Sequence, residues 1–168
     1  SAVVDPEHIP AATGTIYDMA SLTKVLVTGL LTSILIESGE LSLDDRVADL
    51  IPDFGSPDKQ EITVVELLTH TSRLPAWLPL YLLASDPADV VFEIDRIPLD
   101  QKQNAVTYSD LNFIVLGKIV ERVIGSSLDV AAKEIIFRPL GLAKTFFNPP
   151  ASMKTRIAAS ETGNAYER

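Results

Sequence analysis

Hydrophobic and polar positions along the chain follow the period of α-helices in several segments, most clearly over residues 109–125. Apolar side chains recur there at three- and four-residue steps, which places them on one helical face; they are Leu111, Ile114, Val115, Ile119 and Val123. Ser109 or Asp110 is expected to cap this amphipathic helix, and Gly125 is expected to end it.

An apolar run over residues 25–36 predicts another helix, which begins near Ser21 and ends at Gly39. Polar residues interrupt the run, and it falls short of the roughly 18 apolar residues that a membrane-spanning helix needs, so we expect a buried helix. Shorter helices are predicted in four further segments: residues 42–51 with Ser42 as cap, Val64 to His70 behind a capping box of Thr63 and Glu66, residues 76–103 between prolines, and residues 126–139.

Strand signals are weak, because no stretch alternates apolar and polar residues and then turns on Asn-Gly or Asp-Gly into a second such stretch. Residues 1–16 show no period and predict a loop or the remnant of a strand, and residues 148–168 predict an irregular tail. We therefore expect one mostly helical domain over residues 1–168, with its helical region at 17–147.

Composition narrows the functions that the chain can serve. A net charge of −9 makes nucleic acid or an anionic membrane surface an unsuitable partner for these 168 residues. The chain has no cysteine, which excludes disulfides and thiolate metal sites, and His8 and His70 lack the spacing of zinc ligands. No leader sequence opens the chain, which leaves the bacterial cytoplasm, periplasm and exterior as open alternatives for its compartment.

Candidate chemistry begins with Ser21 and Lys24, three residues apart at the head of the predicted helix. Residues at this spacing lie on one helical face, so the lysine can take the proton of the serine hydroxyl if burial lowers its pKa. The N–H of Ser21 would also be free to stabilise an oxyanion. The alternative is a capping serine followed by a solvated lysine.

The same spacing occurs at Ser56 and Lys59, within a loop rich in glycine and proline. No apolar helix follows this second pair, so the spacing alone identifies no site, and the apolar run after Lys24 favours the first pair.

Two further side chains invite a chemical interpretation. Tyr108 precedes the amphipathic helix, and a phenol can act as a general acid or base. His70 would suit a Ser-His-Asp hydrolase, but the chain has no Gly-x-Ser-x-Gly sequence to support one, and a structural role at the end of a helix is favoured.

Three motifs together resemble the serine β-lactamase and penicillin-binding-protein superfamily. They are Ser-Leu-Thr-Lys at 21–24, Leu-Leu-Thr-His-Thr-Ser-Arg-Leu-Pro at 67–75 and Tyr-Ser-Asp-Leu-Asn-Phe at 108–113. Their order and separation are similar to those of the class C-like branch, which includes family VIII esterases and D-stereospecific peptidases. The resemblance covers roughly residues 17–147. It implies the helical part of an α+β fold, with most of the central antiparallel sheet absent from this chain.

The resemblance also implies roles for individual residues. Ser21 would be the acylated nucleophile, Lys24 would activate it and Tyr108 would transfer the proton. Asp110 stands where the family usually has asparagine; an acid there would pair with Lys24, hold it protonated and move more of the role of base to Tyr108. Asp110 and Asn112 would occupy substrate-binding positions, with a structural role the better interpretation of Asn112.

The chain departs from the family pattern in two places. Arg73 replaces the usual glycine, so we expect that loop to differ in backbone or to lie nearer the solvent. The third motif, Lys-Thr-Gly or His-x-Gly, has no match, because Glu-Thr-Gly at 161–163 has the wrong charge and comes too early. We therefore hypothesise an N-terminal fragment, a poor catalyst alone, whose uncovered faces favour self-association or a complementary C-terminal fragment.

The motifs thus predict a serine hydrolase that acts through an acyl-enzyme on carboxylic esters, small amides or β-lactams. This hydrolase interpretation implies no metal or organic cofactor. An esterase or peptidase is preferred over a dedicated β-lactamase. The rival interpretation is a non-catalytic helical interaction or regulatory domain on the same scaffold.

Overall fold

The computed structural model describes residues 8–101 and 106–160, and the regular elements within them are all helical. The first helix consists of a π-helical segment, Lys24–Gly29, that continues into α1 (Leu30–Glu37). Four short helices follow: α2 (Val47–Leu50), α3 (Val64–Leu68), α4 (Leu80–Leu83) and α5 (Val90–Asp95), the last behind a 3-10 turn at Pro87–Asp89. The longest helix, α6 (Asp110–Ile124), precedes α7 (Leu128–Ala131), a π-helical segment at Ala132–Phe137 and a 3-10 helix at Ala151–Arg156.

The prediction of a mostly helical chain is confirmed for the described residues. Their only bridges of β type are isolated ones, a parallel bridge between Ile16 and Ile157 and an antiparallel bridge between Arg46 and Thr63. The division of the chain at 16 and 147 stays a prediction. Residues 1–7 and 161–168, including the Glu-Thr-Gly sequence at 161–163, lie outside the described residues.

Local sequence explains most of the helix ends. The N–H of Thr63 donates to Glu66 Oε2 at 2.9 Å, which confirms the capping box in front of α3. The Ser109 hydroxyl accepts the N–H of Asn112 at the start of α6, and Gly125 ends that helix with φ +75°, a left-handed conformation that glycine adopts at low cost.

One predicted cap is wrong. Ser42 lies in a turn, where its N–H donates to Asp45 Oδ2, and α2 begins only at Val47. The reason is long-range pairing, since the N–H of Val47 donates to the carbonyl oxygen of Ile62 and Arg46 forms an antiparallel bridge with Thr63. Helix formation therefore starts after this contact.

The hydrophobic core surrounds α6, which contacts the first helix, α2, α3, α5 and α7. Its core-facing side chains are fully buried: Leu111, Val115, Leu116, Ile119 and Val120. Two of the predicted apolar positions, Ile114 and Val123, are only partly buried against this core. The central position of α6 brings its N-terminal end against the π-helical segment that follows Ser21.

One face of the first helix has no cover within the described part of the chain. Leu22, Val25, Leu26 and Leu30 are exposed, at 59%, 62%, 46% and 38% of their surface. Leu26 and Leu30 border a cavity of about 720 Å³ together with residues of the segment 136–149. The expectation that another segment or molecule covers such a face stays a prediction. No helix in the described ranges is long and apolar enough to cross a membrane.

Candidate active site

A strained turn presents Ser21 to the solvent at the entrance of the first helix. Ala20, directly before it, has φ +44°, a left-handed conformation that costs about 1–2 kcal/mol for a residue with a Cβ atom. Asp18 supports the turn, because its Oδ1 accepts the N–H of Ala20 at 2.8 Å. Sequence reasoning missed Asp18; an acid two residues before a turn position is the signal of such a side-chain-supported turn.

The N–H of Ser21 has no hydrogen-bond acceptor among the described residues, whereas those of the next three residues bond to Met19, Ala20 and Ser21. A free N–H at a helix start can donate to a ligand oxygen that gains negative charge. This agrees with the expectation that Ser21 could stabilise an oxyanion through its own backbone.

Lys24 joins Ser21 to α6. Its Nζ lies 3.2 Å from Ser21 Oγ and 2.6 Å from Asp110 Oδ1, with 14% of the lysine side chain and 37% of the aspartate side chain exposed. Partial burial lowers the pKa of Lys24, but hydrogen bonds and charges of Asp110 and Tyr108 outweigh it and raise this pKa above its ordinary value. Lys24 is therefore protonated at neutral pH. These interactions do not support a neutral Lys24 that acts as base through burial, and they agree with the alternative in which Asp110 holds the proton on Lys24.

Tyr108 faces the same pair from the segment that leads into α6. Lys24 Nζ lies 5.0 Å from the centre of its ring. Hydrogen bonds to Ser21 and then to Lys24 lower the pKa of Tyr108, against the smaller effects of burial and of the Asp110 charge. A phenol whose pKa is lowered by the neighbouring serine and lysine is well placed to exchange a proton with Ser21.

His70 does not form a Ser-His-Asp arrangement. Its Nδ1 accepts the backbone N–H of Ser109 at 3.1 Å, so this nitrogen carries no proton and the neutral ring is protonated at Nε2. A triad needs the opposite tautomer, with Nδ1–H donating to a carboxylate and Nε2 accepting from serine. Ser21 Oγ is hydrogen-bonded to Lys24 at 3.2 Å rather than to His70.

Asn112 is buried, which agrees with the structural role preferred for it over substrate binding. Only 1% of its surface is exposed. Its Oδ1 accepts the hydroxyl of Ser72 at 2.6 Å, and its Nδ2 lies 3.3 Å from His70 Nδ1, where it donates. With its amide engaged inside the protein, Asn112 acts as a structural tie between α6 and the segment after α3.

Arg73 adopts a backbone conformation that favours glycine, since its φ of +68° lies in the left-handed region. The expectation that this loop differs in backbone or lies nearer the solvent stays a prediction. Arg73 forms two hydrogen bonds with the backbone of Asp100. Its Nε donates to the carbonyl oxygen of Asp100, and its own carbonyl oxygen accepts the N–H of Asp100, each at 2.8 Å.

The second serine–lysine pair has the same separation but different surroundings. Lys59 Nζ lies 3.2 Å from Ser56 Oγ, yet the lysine is 1% exposed and its charge is paired with Asp58. The N–H groups of Gly55 and Ser56 both donate to Asp95 Oδ1, at 2.9 and 3.0 Å. The N–H of Ser56 itself is therefore engaged within the protein, and the contacts of this pair fix the loop.

A helical scaffold that brings a serine, a lysine and a tyrosine together at a helix start has the arrangement of the β-lactamase and penicillin-binding-protein class of serine hydrolases. The chain matches the Beta-lactamase family over residues 3–168 and belongs to that family. The resemblance noted from the three motifs is thus confirmed.

Relatives and solved structures agree with this membership. A protein of Escherichia coli K12, provisionally named a D-alanyl-D-alanine carboxypeptidase, is 38% identical over an alignment of 177 positions. The alignment covers 95% of this chain and 41% of that protein. The structure of FmtA from Staphylococcus aureus matches with a TM-score of 0.78 and 27% identity, over 89% of this chain and 42% of that one. A class C beta-lactamase matches in fold, with a TM-score of 0.77, 24% identity and coverage of 89% and 42%. The chain spans about two fifths of the length of the relatives it matches.

Proposed function

We propose that this chain carries the nucleophile of a serine hydrolase that cleaves esters, small amides or β-lactams through an acyl-enzyme. The observation that carries the proposal is the meeting of Ser21, Lys24 and Tyr108 around one hydroxyl, from two segments far apart in sequence. Membership of the Beta-lactamase family supports a serine-hydrolase type of function for the fold as a whole.

The contacts support the following acylation step. The phenolate of Tyr108 accepts the proton of Ser21, and Ser21 Oγ bonds to the carbonyl carbon of the substrate. The carbonyl oxygen takes the electron pair and accepts the free N–H of Ser21. The bond to the leaving group then breaks as Tyr108 returns the proton to the leaving oxygen or nitrogen. Water repeats the sequence with the same base and releases the acid.

Lys24 has an electrostatic part in this scheme. Its ammonium group lies beside both the Ser21 oxygen and the Tyr108 ring, so it favours the phenolate and the developing alkoxide. Asp110 keeps it protonated through the 2.6 Å ion pair. The aspartate thus acts on the chemistry through Lys24, and its second oxygen is the part of the carboxylate left for a substrate.

Peptidase or esterase activity remains the preferred form of the proposed function. The relative provisionally named a D-alanyl-D-alanine carboxypeptidase favours peptide-like substrates with D-residues, and this substrate class is carried to the present chain as part of the proposal. The relatives are more than twice as long as the matched region, so the rest of such a protein would complete the pocket and the second oxyanion donor.

Covalent labelling tests the proposal, because an acyl-enzyme leaves a probe on the nucleophile. In the whole protein, a fluorophosphonate or fluorescent penicillin should label Ser21, and Ser21→Ala should abolish the label. Ser56→Ala is the matched control, since it removes a serine with the same lysine spacing and the same 3.2 Å contact. Retained labelling or hydrolysis in Ser21→Ala would overturn the assignment of Ser21 as nucleophile, whereas a parent protein that neither labels nor hydrolyses would favour the non-catalytic domain.

A further inference from the structure

We propose that His70 is a positioning residue for Tyr108, holding the residue on each side of that tyrosine and packing its imidazole against the phenol ring. This inference deepens the proposed function. Only the expected effect of His70 on the rate of hydrolysis rests on that function. The placement of Tyr108 by His70 stands independently of catalysis.

Three consecutive residues are held by His70. Its carbonyl oxygen accepts the N–H of Thr107 at 3.0 Å, and its Nδ1 accepts the N–H of Ser109 at 3.1 Å. Between these two contacts, the imidazole and the phenol ring of Tyr108 lie 4.8 Å apart, centre to centre, at 46°. Backbone and ring of one residue therefore fix the position of Tyr108 from both sides and from its face.

The backbone of His70 is unusual in a way that serves these contacts. Its φ is +60°, in the left-handed region that histidine and asparagine enter more readily than most residues. It follows α3 by two residues, so this conformation turns the chain out of the helix. The turn directs the carbonyl group and the ring of His70 toward the same short segment before α6.

The imidazole itself is held in place. Phe113 lies 5.2 Å from it, centre to centre, and Asn112 Nδ2 lies 3.3 Å from the Nδ1 that already accepts from Ser109. With two N–H donors directed at one nitrogen, the ring must be neutral and protonated at Nε2. A fixed ring is a better support for Tyr108 than a mobile one, since a displacement of about 1 Å can cost about 100-fold in rate.

The charges around His70 keep it in this state. Burial and then the positive charge of Lys24 lower the pKa of His70, while the carboxylate of Asp110 opposes them. A protonated ring would lose Nδ1 as acceptor for Ser109 and would face the ammonium group of Lys24. The neutral form required by the contacts is therefore also the form that the site favours.

A merely structural histidine would affect stability alone, whereas a positioning residue must also affect the titration of Tyr108. Displacing Tyr108 from Ser21 and Lys24 removes the interactions that lower its pKa, so this pKa should rise. His70→Gly keeps the left-handed backbone and removes ring and acceptor together. His70→Asn keeps the backbone preference and supplies a side-chain oxygen near the position of Nδ1, but no ring.

The experiment follows the tyrosine resonances of ring-labelled whole protein through a pH titration. The signal that is lost in Tyr108→Phe identifies the Tyr108 resonance. We expect the pKa of Tyr108 to rise in His70→Gly and to rise less in His70→Asn. Hydrolysis of p-nitrophenyl acetate should show kcat reduced about 10- to 100-fold in His70→Gly, with KM little changed and partial recovery in His70→Asn.

Each result has a definite meaning. A Tyr108 titration that is the same in the parent and in both variants overturns the inference, whatever the activity. If His70→Gly does not fold, His70→Asn decides alone, because it lacks the ring; no rise in the Tyr108 pKa then overturns it. A shifted titration in a protein whose hydrolysis survives Ser21→Ala leaves His70 as the support of Tyr108 and overturns the proposed function instead.

Discussion

Replacement of Asp110 by asparagine tests the assignment of charges in the site. The substitution keeps the shape of the side chain and removes the carboxylate that lies 2.6 Å from Lys24 Nζ. Both ionisable groups near Ser21 respond, since Asp110 raises the pKa of Lys24 and its negative charge also opposes the lowering of the Tyr108 pKa.

The free energy that the Lys24–Asp110 ion pair contributes to stability depends on how far the two side chains are buried. A hydrogen bond to a charged group contributes about 1.5–3 kcal/mol when shielded from water, and an exposed ion pair about 0.2–1 kcal/mol. Lys24 is largely shielded at 14% exposure, but Asp110 at 37% is partly screened, so we discount the pair to about 1–1.5 kcal/mol. In a domain of this size a loss of about 1 kcal/mol lowers Tm by about 2–4 °C.

The pH dependence of acylation gives the sharper readout. If Tyr108 is the base, the rate rises with pH as Tyr108 loses its proton and falls as Lys24 loses its own. Asp110→Asn lowers the pKa of Lys24 by removing its partner, and lowers the pKa of Tyr108 by removing a repulsive charge. Both limbs of the bell-shaped profile should therefore move to lower pH, and the basic limb should move further because Asp110 contacts Lys24 directly.

The stability contributed by the Lys24–Asp110 pair also depends on pH. A raised lysine pKa contributes stability that is fully present below the ordinary value of 10.5 and is lost as the pH rises through the raised pKa. Denaturation of Lys24→Met, Asp110→Asn and the double variant at neutral pH should give a coupling energy of about 1 kcal/mol. A coupling near zero, or a profile that moves to higher pH, would refute the reasoning.

A control separates this effect from the loss of any ion pair. Asp49 pairs with Arg46 at 3.0 Å on the surface, with both side chains about half exposed or more. Asp49→Asn should change stability by no more than about 1 kcal/mol and leave the pH profile of acylation in place.

Three further predictions concern single residues. Tyr108→Phe keeps the ring against His70 and removes the proton acceptor, so labelling of Ser21 by a fluorophosphonate should slow about 10²- to 10⁴-fold while Tm stays nearly constant. Asp18→Ala removes the acceptor that supports the left-handed Ala20 and should slow labelling, whereas Asp18→Asn keeps an acceptor and should retain most of the rate. Leu116→Ala empties a fully buried position on α6 and should cost about 2–5 kcal/mol in urea denaturation, with the labelling of the remaining folded protein unchanged.

Local pattern sufficed for the longest helix. The period of α6, its serine cap and its closing glycine are all short-range features, and each is found as predicted. The start of α2 could not be predicted from Ser42, because it depends on pairing between Val47 and Ile62, which local propensity does not encode.

The pKa of Lys24 is a second property that the sequence alone could not predict. Its burial alone would lower its pKa, and its place at a helix start is unfavourable for a cation. What reverses the direction is Asp110, 86 positions away, at 2.6 Å. The identity of the acid could be read from the chain, but the balance between desolvation and pairing depends on distance and exposure. The contacts of His70 with the segment before α6 could not be predicted for the same reason, since they join residues 39 positions apart.

The two serine–lysine pairs show what makes one of them a candidate for catalysis. Both have a separation of 3.2 Å and both lysines have an aspartate partner, so neither distance nor charge pairing distinguishes them. The difference lies in what else each serine can reach. Ser56 has its N–H committed to Asp95, whereas Ser21 keeps a free N–H beside an accessible phenol. Catalysis by such a pair requires a proton acceptor and an uncommitted donor in addition to the lysine, and only the fold around Ser21 leaves both available.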